Sequence, residues 1–346
     1  MSLKFSLNIF LTKIRTMYSF RIKDSIYDQM ISCSSLEDVL KILRENQFYA
    51  NIFENVKVND ESLSLLNVEQ LLDYKFLDVL ENILSYDKLL NGFLKDYISA
   101  YIDAKFILSC FERILKLKCG KDFFFNSMHR DSVCKNLKLK GLVHARNIEG
   151  FFDFLNKAGY KEVFKNLDLK NSDFFIQSFV QKKLYEDLYE KLIYGINKIK
   201  SKKAKKELLS VYFCYLELND FVYRLRSKKI GDENKNLELL PSFRSFEQRF
   251  LRKLENLNLE SEYYSFLNSS FLFSQIKNIT YSYLEQLPEK FLFLKSRRNI
   301  RFSLNPTVIV VSFINLLKIE LQNIKRVLEG IRYNLPFNKI KEFLVV

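Results

Sequence analysis

Tryptophan is absent from this 346-residue chain, and glycine and proline together account for only twelve residues, eight and four. An average protein of this length would carry roughly 12% of the two. So few turn formers exclude propellers and many-stranded sandwiches, and leave little material for a glycine-rich phosphate loop. Histidine occurs twice, as His129 and His144. With Cys134 between them they would be three candidate ligands at spacings of 5 and 10, which match no zinc pattern. The five cysteines, Cys33, Cys110, Cys119, Cys134 and Cys214, are scattered, odd in number and without a CxxC pair. They read as reduced thiols in a cytosolic setting. No signal-peptide core is expected between Met1 and Leu11. The most apolar later run, Val308 to Leu317, is about half the length of a membrane span.

What is present is a large apolar fraction, 48%, and a surplus of cations: 55 Lys and Arg against 41 Asp and Glu, net +14. That composition builds long helices around a sizeable core. The chain also repeats itself, with a period near 105–115 residues. One marker is a capped helix start. It reads Ser35-Leu36-Glu37-Asp38-Val39-Leu40 in the first copy and Asn147-Ile148-Glu149-Gly150-Phe151-Phe152 in the second. Apolar residues recur at i, i+3, i+4 and i+7: Leu36, Val39, Leu40 and Leu43, then Ile148, Phe151, Phe152 and Leu155. That spacing is one helix face, and Ser35 and Asn147 are N-cap residues before it. A poorer third copy starts at Ser245-Phe246-Glu247.

The second marker is an acid on a long apolar helix: Asp103, Glu217 and Glu320, 114 and 103 residues apart. Apolar residues stand four and eight positions after each acid, and Gly120, Gly231 and Gly330 follow as expected C-terminal caps. The helix carrying Asp103 is expected from about Phe93 to Leu117. One acid per bundle cannot form a catalytic pair. Each acid is therefore expected to satisfy helix ends or a basic neighbour at a packed face, or to be solvated. The runs Lys200 to Lys206 and Lys295 to Arg301 read first as solvated loops, with an anionic membrane surface or nucleic acid as other partners for such charge.

These markers lead to a resemblance. Its residues are Lys13-Ile14-Arg15-Thr16-Met17, the Ser35-Leu36-Glu37 start, the aromatic pair Phe48-Tyr49, the set Glu320, Asn323, Ile324 and Lys325, and the closing Leu335-Pro336 with a short last helix. Together they resemble the C-type subunits of bacterial and archaeal V-type ATPases/ATP synthases, relatives of the d-type subunits of eukaryotic V-ATPases. Phe106 and Asp220 stand where the family's pattern has Asn in the first two copies. The resemblance implies an all-α fold of three similar helical-bundle domains in a pseudo-threefold, funnel-like arrangement, here residues 1–120, 121–231 and 232–346. It implies a non-catalytic, peripheral subunit on the cytoplasmic face of the membrane, without cofactor or metal. Its implied partners are the central shaft subunits D and F and the proteolipid rotor ring, with possible contact to an anionic membrane surface and none to nucleic acid. Arg15, Glu320, Asn323 and Lys325 are the expected partner-contact residues. A helical-repeat adaptor with a basic surface is the alternative.

Overall fold

Both capped starts within the described residues begin helices as the sequence predicts. The Ser35 side chain accepts from the Asp38 N–H, and the Asn147 side chain from the Gly150 N–H; each cap residue is extended before a helical first turn. The computed structural model describes residues 3–54, 65–90, 92–118, 137–165, 167, 173–230 and 286–346. Among these, every regular element is helical. The cap at Ser245 and the glycines Gly120 and Gly231 lie outside them.

The described residues group into two compact units. One gathers those of Met1–Leu90, Ser201–Val222 and Glu247–Val346, the other those of Asn91–Lys200 and Tyr223–Phe246. This grouping runs across the division at 120 and 231, whose boundary residues lie outside the described set.

The first unit holds α1 (Leu3–Ser19), α2 (Asp24–Ile31), α3 (Leu36–Glu45), α4 (Ala50–Phe53) and α5 (Leu65–Leu84). Late in the chain it adds α10 (Leu287–Phe302), α11 (Pro306–Arg332) and α12 (Phe337–Glu342). Helix α9 (Lys202–Ile230) contributes its residues through Val222. Helix α11 is the axis of this unit and packs against α1, α2, α3, α5, α10 and α12. By length and hydropathy α11 could cross a membrane. Twenty of its 27 residues are buried, so it is a core helix, apolar all round in its first half and carrying a polar face with Lys318, Gln322, Lys325 and Glu329 in its second.

Both ends of α11 are locally encoded. Asn305 accepts from the Thr307 and Val308 N–H groups at 3.0 and 3.4 Å, and Pro306 supplies a preset first turn. At the far end the helix does not stop at Gly330, as the glycine predicts, but continues to Arg332. Asn334, at φ 50°, is the left-handed residue. The Leu335 N–H donates to the Gly330 carbonyl and the Asn334 N–H to that of Ile331, which is a Schellman ending. Gly330 serves packing instead. A Cβ there would lie 2.6 Å from Cγ1 of Ile340, the buried residue by which α12 seats.

The second unit pairs α6 (Lys95–Lys118) with α8 (Asp173–Asn197) and covers them with α7 (Ile148–Leu155). Phe111, Phe151, Phe152 and Phe164 interlock at its centre with ring centroids 5.1–6.5 Å apart. Helix α6 starts two residues later and ends one later than the sequence indicates. After α7 the chain turns through Gly159, at φ 98°, and brings Tyr160 back toward α6.

Candidate functional site

The three acids that recur along the sequence are all buried: Asp103 on α6 at 8% exposure, Glu217 on α9 at 7% and Glu320 on α11 at 3%. A buried carboxylate costs several kcal/mol unless hydrogen bonds replace its water, so the partners of each acid define what it does.

Glu320 is held on both oxygens. The Tyr49 hydroxyl donates to Oε1 at 2.6 Å. The Ile22 N–H donates to Oε2 at 3.2 Å, and Arg21 Nε lies 3.3 Å from the same oxygen. The Tyr27 hydroxyl donates to the Glu320 backbone carbonyl at 3.5 Å. Burial is the largest influence on this carboxyl and lifts it to about 7; Tyr49, Arg21 and the Ile22 N–H pull the other way. Burial, and then the charge of Glu320, push both tyrosine hydroxyls well above their usual range, so both remain donors. The cluster ties the connection between α1 and α2, and the segment before α4, to the middle of α11.

Asp103 shows the same motif in the second unit. The Tyr160 hydroxyl donates to Oδ2 at 3.2 Å. Burial raises this carboxyl, and the Tyr160 hydrogen bond partly offsets it. Tyr49 follows its capping Ser35 by 14 residues, and Tyr160 follows Asn147 by 13. In both units, then, an acid from the late helix of one sequence copy is met by the tyrosine that follows the capped helix of the next copy, the first copy following the third. Glu217 lies beside Cys214, whose thiol burial and then Glu217 push up to about 12.

Asn323 faces inward as well. Its amide donates to the Val345 carbonyl at 2.8 Å and accepts from the Val345 N–H at 3.0 Å, so it pairs with the stretch after α12 as a neighbouring strand would. Arg326 donates to the Asn323 oxygen at 3.2 Å and to Glu289 at 2.6 Å. Lys325 is half-buried and pairs with Asp73 of α5 at 2.9 Å. Arg15 is exposed on α1. Of the four residues expected to touch partners, Glu320 and Asn323 thus have their partners within this chain, and Lys325 is engaged with α5.

Arg21, Tyr160 and Val345 complete these clusters and were not singled out in the sequence; Tyr49 stood out only as half of an aromatic pair, with no role attached. The one signal was an aromatic at a nearly fixed offset after each cap. His144 is exposed at the end of the 3₁₀ turn Leu137–His144; His129 and Cys134 lie outside the described residues. Among the described residues no three His, Cys, Asp or Glu side chains converge. The cysteines Cys33, Cys110 and Cys214 carry no disulfide.

Fold and clusters together define an all-helical protein whose recurrent polar residues hold helices to one another. The model of the ATP synthase (C/AC39) subunit family matches residues 10–343. The chain therefore belongs to that family, part of the V-type ATPase/ATP synthase complex, and through that complex to ion transport. No curated protein matches the chain.

Proposed function

We propose that this protein is the non-catalytic central-stalk component of a V-type ATPase/ATP synthase, joining the rotating D–F shaft to the proteolipid rotor ring at the cytoplasmic face of the membrane. The family match across residues 10–343 carries the reading. The build of the chain supports it. A coupling element transmits torque only if it resists deformation, and close-packed interiors do. The polar residues that recur along the chain are spent on that stiffness: Glu320, Asn323 and Asp103 each clamp one segment to another.

The order of the clamps favours three repeats that close on themselves, as a funnel requires. In an open stack the last acid has no following copy to meet. Here Glu320 of the last copy is met by Tyr49 of the first, 271 residues earlier in the chain. In this reading Arg15 contacts a partner directly, and Glu320 and Asn323 act by fixing the segments around them. The basic surface is compatible with an anionic membrane nearby.

The test is reconstitution. The purified protein is mixed with the D–F shaft of the same organism, then with its detergent-held proteolipid ring, and resolved by size exclusion. One species containing shaft, this protein and ring is expected. Separate elution from both, by a sample with intact helical circular dichroism, refutes the proposal.

A further inference from the structure

The basic run Lys295 to Arg301 is not a loop. It is the second half of α10, and its buried Ser296, Asn299 and Ile300 keep it against the core. Arg297 and Arg301, four residues apart, share one face of that helix. They line a cleft of about 470 Å³ together with Tyr18 at the end of α1, Arg21 and Lys23 of the connection that follows, and Asp24 at the start of α2. Four cations against one acid converge there.

Two of the cations are held in place. The Arg21 guanidinium stacks 4.9 Å from the ring centre of Phe293, and that of Arg297 stacks 5.9 Å from the same ring. Glu320 takes the Nε edge of Arg21 from below. Beside the cleft, directly after Arg301, Phe302 and Leu304 stand 76% and 93% exposed at the turn into α11. Large apolar side chains bared beside convergent charge mark a contact surface.

We infer that this cleft and the Phe302–Leu304 knob form a docking site for a protein partner that presents a carboxylate-bearing protrusion with an apolar rim. The inference rests on the proposed function in taking that partner from the same rotary complex. Charge complementarity selects an acidic partner, because the guanidinium fork of arginine matches a carboxylate through paired hydrogen bonds. Relief selects a protein over a lipid surface: a flat bilayer would meet the knob and leave the cleft unfilled. Glu320 enters as a positioning residue. It fixes the Arg21–Ile22 wall of the cleft without touching the partner.

The test compares two double variants that lower the net charge equally, from +14 to +10, since each reversal subtracts two. One is Arg297→Glu with Arg301→Glu in the cleft. The other is Lys203→Glu with Lys206→Glu on the exposed face of α9, away from the cleft lining. Affinity for the D–F shaft and for the proteolipid ring is measured by biolayer interferometry at physiological salt. Binding to vesicles of 70% phosphatidylcholine and 30% phosphatidylserine is measured in parallel, after circular dichroism has confirmed helicity.

The inference expects the cleft variant to lose at least about tenfold in affinity for shaft or ring. The α9 variant should stay within about twofold of the wild type. Should the cleft variant misfold, Phe302→Ser with Leu304→Ser, both at exposed sites, replaces it with the same expectation. Equal binding by cleft and α9 variants overturns the docking site and leaves the proposed function standing. Loss of vesicle binding alone overturns it in favour of a lipid surface. A wild-type protein that binds neither shaft nor ring overturns both readings.

Discussion

Replacing Glu320 with Gln removes a carboxyl that burial raises from 4.5 to about 7. The folded protein therefore holds this proton more tightly than the unfolded chain does. The stability linked to that difference is fully present below pH 4.5 and is lost as pH rises through about 7. At roughly 1.4 kcal/mol per pH unit, the interval is worth about 3 kcal/mol. Glutamine does not titrate. Its oxygen still accepts from Tyr49, but its NH₂ then faces the Ile22 N–H and Arg21, donors opposed to donors. The protonated carboxyl also turns one O–H toward these donors, so the amide, with two N–H, costs only up to about 1 kcal/mol more.

Urea denaturation of both proteins, followed by far-ultraviolet circular dichroism at pH 5, 6 and 7.5, measures the effect. The difference between them isolates Glu320, because the other titrating groups are common to both. The wild type should be at most about 1 kcal/mol the more stable at pH 5, and the balance should move by about 2 kcal/mol toward the glutamine variant by pH 7.5. A difference that is flat with pH, or that grows in favour of the wild type as pH rises, would refute the reasoning. It would mean that the Arg21 pairing outweighs burial.

Three further substitutions read out the packing. Gly330→Ala sets a Cβ against Ile340, so α12 must move; the net cost is about 1–2 kcal/mol after the helix gains propensity, with faster hydrogen exchange over Phe337–Glu342. Asn323→Ala leaves the N–H and carbonyl of Val345 without their side-chain partner, costs about 2–3 kcal/mol in urea titrations, and speeds hydrogen exchange at Val345. Ser35→Ala removes both the N-cap bond from the Asp38 N–H and the hydroxyl's bond to the Asp38 carboxylate, and should cost about 1–2 kcal/mol in the same titration, largely restored by Ser35→Thr.

What the sequence announces here is local. The caps at Ser35 and Asn147 each lie within four consecutive residues, and both hold. The recurrence of Asp103, Glu217 and Glu320 at packed faces is likewise borne out by their burial. The partners of those acids were not legible, because nothing near Glu320 points to a tyrosine 271 residues away. Gly330 was misread for a related reason. A glycine late in a helix has the same composition whether it ends the helix or admits a neighbour, and only the Ile340 contact separates the two. The run Lys295 to Arg301 resembled a loop because five successive polar residues mask the two, Ser296 and Asn299, that face inward. Asn323 hides its role in the same way. Two of its bonds go to Val345, 22 residues on and past α12, and an amide on a helix face gives no sign of whether it meets solvent or a returning backbone.

The sequence copies and the structural units are out of step by about 30 residues, 91–200 against 121–231, and this bears on which piece of the chain folds by itself. A fragment cut at Gly120 keeps α6 but discards α7, α8 and Tyr160. Phe106, Ile107, Phe111 and Ile114 of α6 are buried in one cluster with Leu142, Phe151, Phe152 and Leu184. Stripping that cover from four large side chains forfeits on the order of 10 kcal/mol, as much as the whole stability of an ordinary domain. It also leaves Asp103 buried without its tyrosine, or drags it into solvent with the rest of the face. A fragment of residues 91–200 takes only the last quarter of the first copy and cuts the second, yet keeps α6, α7 and α8, the Phe111 cluster and the Asp103–Tyr160 bond together. Residues 91–200 should therefore unfold cooperatively on heating and give dispersed amide resonances, while residues 1–120 should be helical without a cooperative transition. The reverse outcome would show that the copies read along the sequence are the folding units and that the acid–tyrosine pairing between successive copies is secondary.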